Sequence, residues 1–198
     1  MVSDCWKTLT LLPRLLVSVV LLVQFACVDA ATIRAQKFYE LEATDIDGKL
    51  VSFGNFWKTR RVVITNVASE CGFTSSHYAD YKYMQARHPD TKIIAFPCNQ
   101  FGAQEPGSSA EIKDFAAGQG LILDGAAASF VLMDKINVNG AEAHPVYSFL
   151  KSATNTGDIG WNFLTKFVIE CKREECEVDR YDTDEVPSSL LEGHSQEL

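Results

Sequence analysis

The rhythm of apolar and polar positions changes several times along the chain. From Leu15 to Ala26 it is almost wholly apolar. From Phe38 to Phe53, FYELEATDIDGKLVSF places an Asp47-Gly48 turn between two short segments, which predicts a β-hairpin. VVITNVA, Val62 to Ala68, is apolar apart from Thr65 and Asn66 and rich in β-branched residues, the pattern of a central strand buried on both faces. A helix of about a dozen residues follows from Thr74 or Ser75, with Tyr78, Tyr81 and Met84 recurring every three positions before Pro89 ends it. KIIAFP, Lys92 to Pro97, opens a second strand-loop-helix unit, whose helix starts at the cap-competent Ser108-Ser109. FVLMD, Phe130 to Asp134, is a third strand, and a short helix is expected from Pro145 to Lys151. FVIE and EVDRY then form two strands around a charged turn, so the fold is α/β with both strand directions in its sheet. No repeat or long linker divides it.

The apolar run from Leu15 follows a short start carrying Lys7 and Arg14, and Val28 and Ala30 occupy the -3 and -1 positions for cleavage after Ala30. It is shorter than the roughly 20 residues of a membrane-spanning helix, so residues 1–30 are expected to be a secretory signal and residues 31–198 a single domain with a polar C-terminal tail. Cleavage removes Asp4, Asp29, Lys7 and Arg14, leaving the net charge of -8 unchanged. That acidic balance excludes a general binder of nucleic-acid backbones. The last residues, HSQEL, match endoplasmic-reticulum retention signals only in the final Glu-Leu, and a solvated tail is the other reading.

Of six cysteines, Cys5 and Cys27 leave with the signal, and Cys71, Cys98, Cys171 and Cys176 remain. There is no CxxC, and no Cys/His spacing suits zinc, so no metal site is expected. Cys71 directly follows the first central strand and lies a few residues ahead of a helix N-terminus, whose dipole and unpaired N–H groups favour negative charge. A thiolate there could attack a peroxide oxygen; a packed core thiol is the alternative. Such a thiolate needs neutral donors that hold it without taking its charge. Gln104, in the loop after the second strand, and Trp161-Asn162, just before another strand, can reach the same sheet edge. Taken singly, each also has an ordinary explanation as a loop, core or turn residue.

Taken together, these segments resemble the glutathione peroxidase family. NVASECGFT (Asn66 to Thr74) is similar to its peroxidatic signature, with cysteine where other members carry selenocysteine. AFPCNQFGAQEPG (Ala95 to Gly107) and WNF (Trp161 to Phe163) look like two further signatures, and VNGAEAHPVYSFLK (Val138 to Lys151) is also similar. The resemblance spans about Phe38 to Tyr181. It implies a thioredoxin-like fold and reduction of hydrogen peroxide or organic hydroperoxides, with Cys71 as peroxidatic nucleophile and Gln104, Trp161 and Asn162 as its hydrogen-bonding partners. No cofactor is implied beyond glutathione as co-substrate.

Three departures from the family pattern shape the expectations. The second helix, EIKDFAAGQG, has no resolving cysteine near Ala117, and the following LILDGAAAS is longer and lacks basic residues. Cys98 is then the internal candidate to resolve the sulfenic acid, or else a buried thiol. Members resident in the endoplasmic reticulum share the signal, the missing cysteine and the tail, which points to the endoplasmic reticulum lumen or secretion. It also points to reduction by glutathione, a protein disulfide isomerase or a thioredoxin-type protein. The segment between the second helix and the third strand lacks the long insertion that builds tetramer contacts in some members, so a monomer is expected. A redox sensor relaying oxidation to a bound partner is the competing function. CKREEC suggests a Cys171–Cys176 hairpin disulfide, and one extra residue in WNFLTKF would invert the faces of the next strand unless a bulge absorbs it.

Overall fold

In the computed structural model, residues 37–123, 128–172 and 175–193 are described. The predicted secretory segment and the His194–Leu198 tail lie outside them. Among the described residues no helix is long and apolar enough to cross a membrane.

A two-stranded hairpin, β1 (Glu42–Thr44) and β2 (Leu50–Ser52), opens the fold and turns at Gly48, whose φ of 79° favours glycine. Asp45 Oδ1 accepts from the backbone N–H groups of Asp47 and Lys49 and so closes the turn. The main sheet has the order β5-β4-β3-β6-β7. Its strands are β3 (Arg61–Val67), β4 (Thr91–Pro97), β5 (Phe130–Leu132), β6 (Thr165–Lys172) and β7 (Glu175–Asp182). β3, β4 and β5 run parallel, whereas β6 pairs antiparallel with both β3 and β7.

Alternation along the central strands builds two cores, one on each face. Val62, Ile64, Ile94 and Phe96 point to the first, where helix α3 (Pro145–Ala153) contributes Val146, Tyr147 and Leu150, and the hairpin region Ala43, Val51 and Phe53. Val63, Val67, Ile93 and Ala95 point to the second. Tyr78, Tyr81 and Met84 of α1 (Thr74–Arg87) and Ile112 and Ala116 of α2 (Ser109–Gly118) cover that second core. Each large side chain so buried contributes about 1.5–3 kcal/mol relative to exposure. Two-sided burial is why β3 is a continuous apolar run rather than an alternating one. The expected Ser108 cap is a full capping box, with Ser108 and Glu111 each holding the other's backbone N–H.

Two features differ from the sequence expectations. The extra residue in WNFLTKF produces no bulge: β6 pairs regularly with β3 from Lys166 to Glu170. A turn ahead of the strand takes it up instead, with Phe163 at a φ of 67°, a left-handed conformation unusual for a bulky residue. Phe163 is fully buried and its N–H donates to Asn66 O at 2.9 Å, contacts that compensate for this backbone.

After EVDRY, where the sequence pattern predicts no further element, the chain forms a helix, α4 (Pro187–Gly193), with Leu191 buried in the second core. Asp80 of α1 accepts from both the backbone N–H and the hydroxyl of Ser188. Lys166 Nζ, fully buried, donates to Thr183 O at 2.7 Å and Glu185 O at 2.6 Å. A short segment with a single buried leucine shows no helical period, so the sequence pattern concealed it.

Candidate active site

The carboxyl ends of β3 and β4 open on one edge of the sheet, where open α/β folds gather their reactive groups. Cys71 lies on the loop leaving β3, 8% exposed, three residues ahead of α1. Phe73, at the helix cap position, supplies no side-chain cap. Thr74 ties the turn instead: its hydroxyl accepts from Cys71 N–H at 3.1 Å and donates to Ala68 O at 2.7 Å, while its own N–H donates to Cys71 O at 3.1 Å.

The loop leaving β4 is fastened to the Cys71 loop at two points. Glu70 N–H donates to Gln104 O at 3.0 Å, and Ser69 Oγ donates to Glu105 Oε1 at 2.7 Å. Glu105 is fully buried; its N–H donates to Asn99 Oδ1 at 2.8 Å, and Lys135 Nζ donates to Glu105 O at 3.0 Å. Burial raises the Glu105 carboxyl above the ordinary carboxylate range, and the Ser69 hydrogen bond partly opposes this. Gly102 and Ala103, at φ 61° and 52°, turn the loop sharply enough to bring Gln104 back towards β3. A Cβ on Gly102 would stand 3.5 Å from the Trp161 ring and 3.6 Å from Gln104 Cγ.

The third segment is read by β3 itself. Asn66 Nδ2 donates to Asn162 Oδ1 at 2.9 Å and to Trp161 O at 3.3 Å. Asn162, fully buried, passes its own Nδ2 to Gln104 Oε1 at 3.4 Å. The Trp161 ring packs on Phe101 with centroids 5.7 Å apart and touches both cores, capping the sheet edge. Gln104, Trp161 and Asn162 are therefore gathered at the strand end that carries Cys71. Sequence reasoning missed Asn66, Thr74 and Glu105. The signal for Asn66 was a primary amide inside an otherwise apolar strand.

Cys98 follows β4 at the same sheet edge, its N–H donating to Val67 O at 3.0 Å, but its side chain faces the other way. It is free and fully buried in the first core, whereas Cys71 belongs to the second, across the sheet. Burial pushes its thiol up, partly opposed by backbone hydrogen bonds from Gln100 and Val138, and its Sγ also reaches Gln100 Oε1 at 3.9 Å. Disulfide formation needs converging Cβ vectors, and side chains that enter opposite cores do not converge, which counts against the expectation that Cys98 resolves Cys71. The backbone register sets Cys171 directly opposite Cys176, the arrangement a hairpin disulfide needs, although their side chains lie outside the described residues.

Open clefts flank the site. One, of about 720 Å³, is bordered by Phe73, Asp158, Arg180, Asp182 and Asp184. Another, of about 390 Å³, is bordered by Ser69, Glu70, Glu105, Glu111 and Phe115. Among the described residues no group of three or more His, Cys, Asp or Glu is arranged to hold a metal ion. A buried thiol at a helix start, beside primary amides and an indole, suits attack on a small electrophile rather than binding of an extended cofactor.

A parallel β3-β4-β5 sheet extended by antiparallel β6 and β7, with helices on both faces and a thiol at the carboxyl edge, defines a thioredoxin-like redox protein. The chain matches the sequence model of the Glutathione peroxidase family over residues 38–151, and it belongs to that family. It is 49% identical over 141 residues to glutathione peroxidase 1, mitochondrial, of Chlamydomonas reinhardtii, covering 70% of this chain and 67% of that one. It is 41% identical over 160 residues to the phospholipid hydroperoxide glutathione peroxidase of Bos taurus, covering 77% and 76%. Among solved structures, the crystal structure of T. cruzi GPX1 superposes with a TM-score of 0.56 at 29% identity, covering 79% of this chain and 92% of that one. A thioredoxin-like protein from Aeropyrum pernix superposes at 0.57 with 14% identity, covering 88% and 99%, which shows the fold alone. The protein is thus a peroxidase that reduces peroxides with electrons from thiols.

Proposed function

We propose that Cys71 is the peroxidatic residue and that the thiol completing the cycle comes from another molecule. The carrying observation is the gathering of Gln104, Trp161 and Asn162 at the strand end that holds Cys71, with the loops locked together by Glu70 and Ser69. The Cys71 thiolate attacks one peroxide oxygen, the O–O bond breaks, and the departing alkoxide or hydroxide takes a proton to leave as alcohol or water. Cys71 is then a sulfenic acid. A first external thiol condenses with it, releasing water and forming a mixed disulfide; a second thiol displaces Cys71 and leaves as the oxidised disulfide. Gln104, Trp161 and Asn162 supply neutral N–H donors to the sulfur and its oxygen.

The separation of Cys98 from Cys71 favours an external reductant, namely glutathione, a protein disulfide isomerase or a thioredoxin-type protein. The same separation supports the alternative of an oxidant relay, in which one partner protein receives the oxidation. The apolar leader and the His194–Leu198 tail support placement in the endoplasmic reticulum lumen or secretion, and the lack of a long insertion between α2 and β5 supports a monomer.

Stopped-flow peroxide consumption tests the assignment. Cys71→Ser should abolish it, and activity retained in that variant rejects Cys71. Sustained turnover with glutathione or a disulfide isomerase supports the peroxidase cycle, whereas a single turnover with every thiol supports the relay.

A further inference from the structure

Asn66 is the one primary amide on β3, and its side chain is hydrogen-bonded asymmetrically. Nδ2 serves two acceptors, Asn162 Oδ1 at 2.9 Å and Trp161 O at 3.3 Å, while Oδ1 is buried without a hydrogen-bond partner. Turning the amide over would set its oxygen against two other oxygens, so the neighbours decide which end is which. The decision propagates. Because Asn162 Oδ1 is held by Asn66, Asn162 must offer Nδ2 to its other side, where it meets Gln104 Oε1 at 3.4 Å. With Gln104 Oε1 engaged there, the donating Nε2 is the end left for the site.

We infer that Asn66 is a positioning residue whose amide sets the donor direction of Asn162 and Gln104, so that Gln104 presents an N–H rather than an oxygen to the Cys71 sulfur. This rests on Cys71 being the peroxidatic residue. The backbone reinforces the arrangement, since Asn66 O accepts from Phe163 N–H at 2.9 Å and so holds both sides of Asn162 in register. Asn66 touches neither thiol nor peroxide in this scheme; it acts through the two amides.

The informative substitution is Asn66→Asp, which keeps the shape and reverses the chemistry. As a carboxylate it can only accept, so Asn162 turns Nδ2 towards it and Oδ1 towards Gln104, and Gln104 turns its oxygen to the thiolate. As a protonated acid it can donate to Asn162 Oδ1 and restore the original direction. The second-order rate of Cys71 oxidation, followed by Trp161 fluorescence and by mass spectrometry, should drop about 10²–10³-fold at pH 8, the loss typical of one misdirected donor. It should recover as pH falls, giving a falling alkaline limb that the wild type lacks.

Asn66→Ala covers the case in which the aspartate variant fails to fold. It should lower the rate at least about tenfold, and adding it to Asn162→Ala should cost nothing further, because both act through one chain. A wild-type-like pH profile in Asn66→Asp, or independent additive losses in the alanine pair, overturns the inference. If the wild-type mass shift falls on a residue other than Cys71, the underlying functional reading fails and the inference with it; normal Cys71 oxidation with unchanged variants sinks only the role of Asn66.

Discussion

The hydroxyl of Ser69 donates to the buried carboxyl of Glu105 at 2.7 Å, joining the loop that follows β3 to the loop that follows β4. Burial raises the Glu105 carboxyl, so the folded chain holds that proton more tightly than the unfolded chain does. The resulting stability is fullest below the ordinary glutamate range and is lost as pH rises through the folded value. Glu105→Gln should therefore gain stability relative to wild type between pH 4.5 and 7.5. Ser69→Ala, which strips the carboxyl of its donor, should lose about 1–3 kcal/mol at neutral pH. Thermal melts at the two pH values measure both effects. A Glu105→Gln difference that does not change with pH would remove the electrostatic explanation.

His77 gives the opposite pH dependence. It is fully buried on α1, its Nδ1 is 3.0 Å from Phe73 O, and its ring lies 5.0 Å from that of Phe163, next to Asn162. Burial, with help from the nearby Lys166 charge, lowers its pKa to about 4. The unfolded chain therefore takes up this proton first, and stability falls as pH drops from about 6.5 to 4, by roughly 3 kcal/mol at most. Urea midpoints across that window should decline in wild type and decline less in His77→Gln. Parallel declines would exclude His77 as the cause.

No internal disulfide should form at Cys71. Cys98 lies in the opposite core, and Cys171 follows Glu170, which pairs with Arg61 at the start of β3, whereas Cys71 follows its end. Seven strand residues at about 3.3 Å each separate those ends by roughly 20 Å. Peroxide without added thiol should carry Cys71 through sulfenic to sulfinic acid. Non-reducing peptide mapping should find no Cys71 cross-link, while a Cys171–Cys176 link fits the strand register. Recovery of a Cys71–Cys98 peptide would overturn this expectation.

Thr74 links Cys71 N–H to Ala68 O through one hydroxyl. Thr74→Val keeps the shape but leaves both groups unpaired, so a loss of about 1–3 kcal/mol is expected. Slower peroxide reaction should accompany it, because the Cys71 turn loosens. Thr74→Ser, which retains the hydroxyl, should restore most of both. Equal behaviour of the valine and serine variants would assign the effect to packing rather than to the hydrogen bonds.

Most of the architecture was legible in the chain because its signals are local. An unbroken β-branched run marks β3, a Ser108-x-x-Glu111 box marks α2, and Asp47-Gly48 marks the hairpin, each by chemistry acting within a few residues. The motifs also led to Cys71, Gln104, Trp161 and Asn162, because they stand just beyond or just before strand ends, and the fold brings them to one sheet edge. Tertiary structure decided what depends on distant contacts. Helix α4 forms where Asp80, far away in sequence, receives its first turn and Lys166 holds the segment leading into it. The turn at Phe163 absorbs the extra residue because Asn66 O and the second core hold it there. The placement of Cys98 follows from which face of β4 it ends, and the direction of the three amides from which oxygen meets which nitrogen. Those outcomes depend on pairs up to about a hundred residues apart, such as Asn66 with Asn162, which no local pattern records.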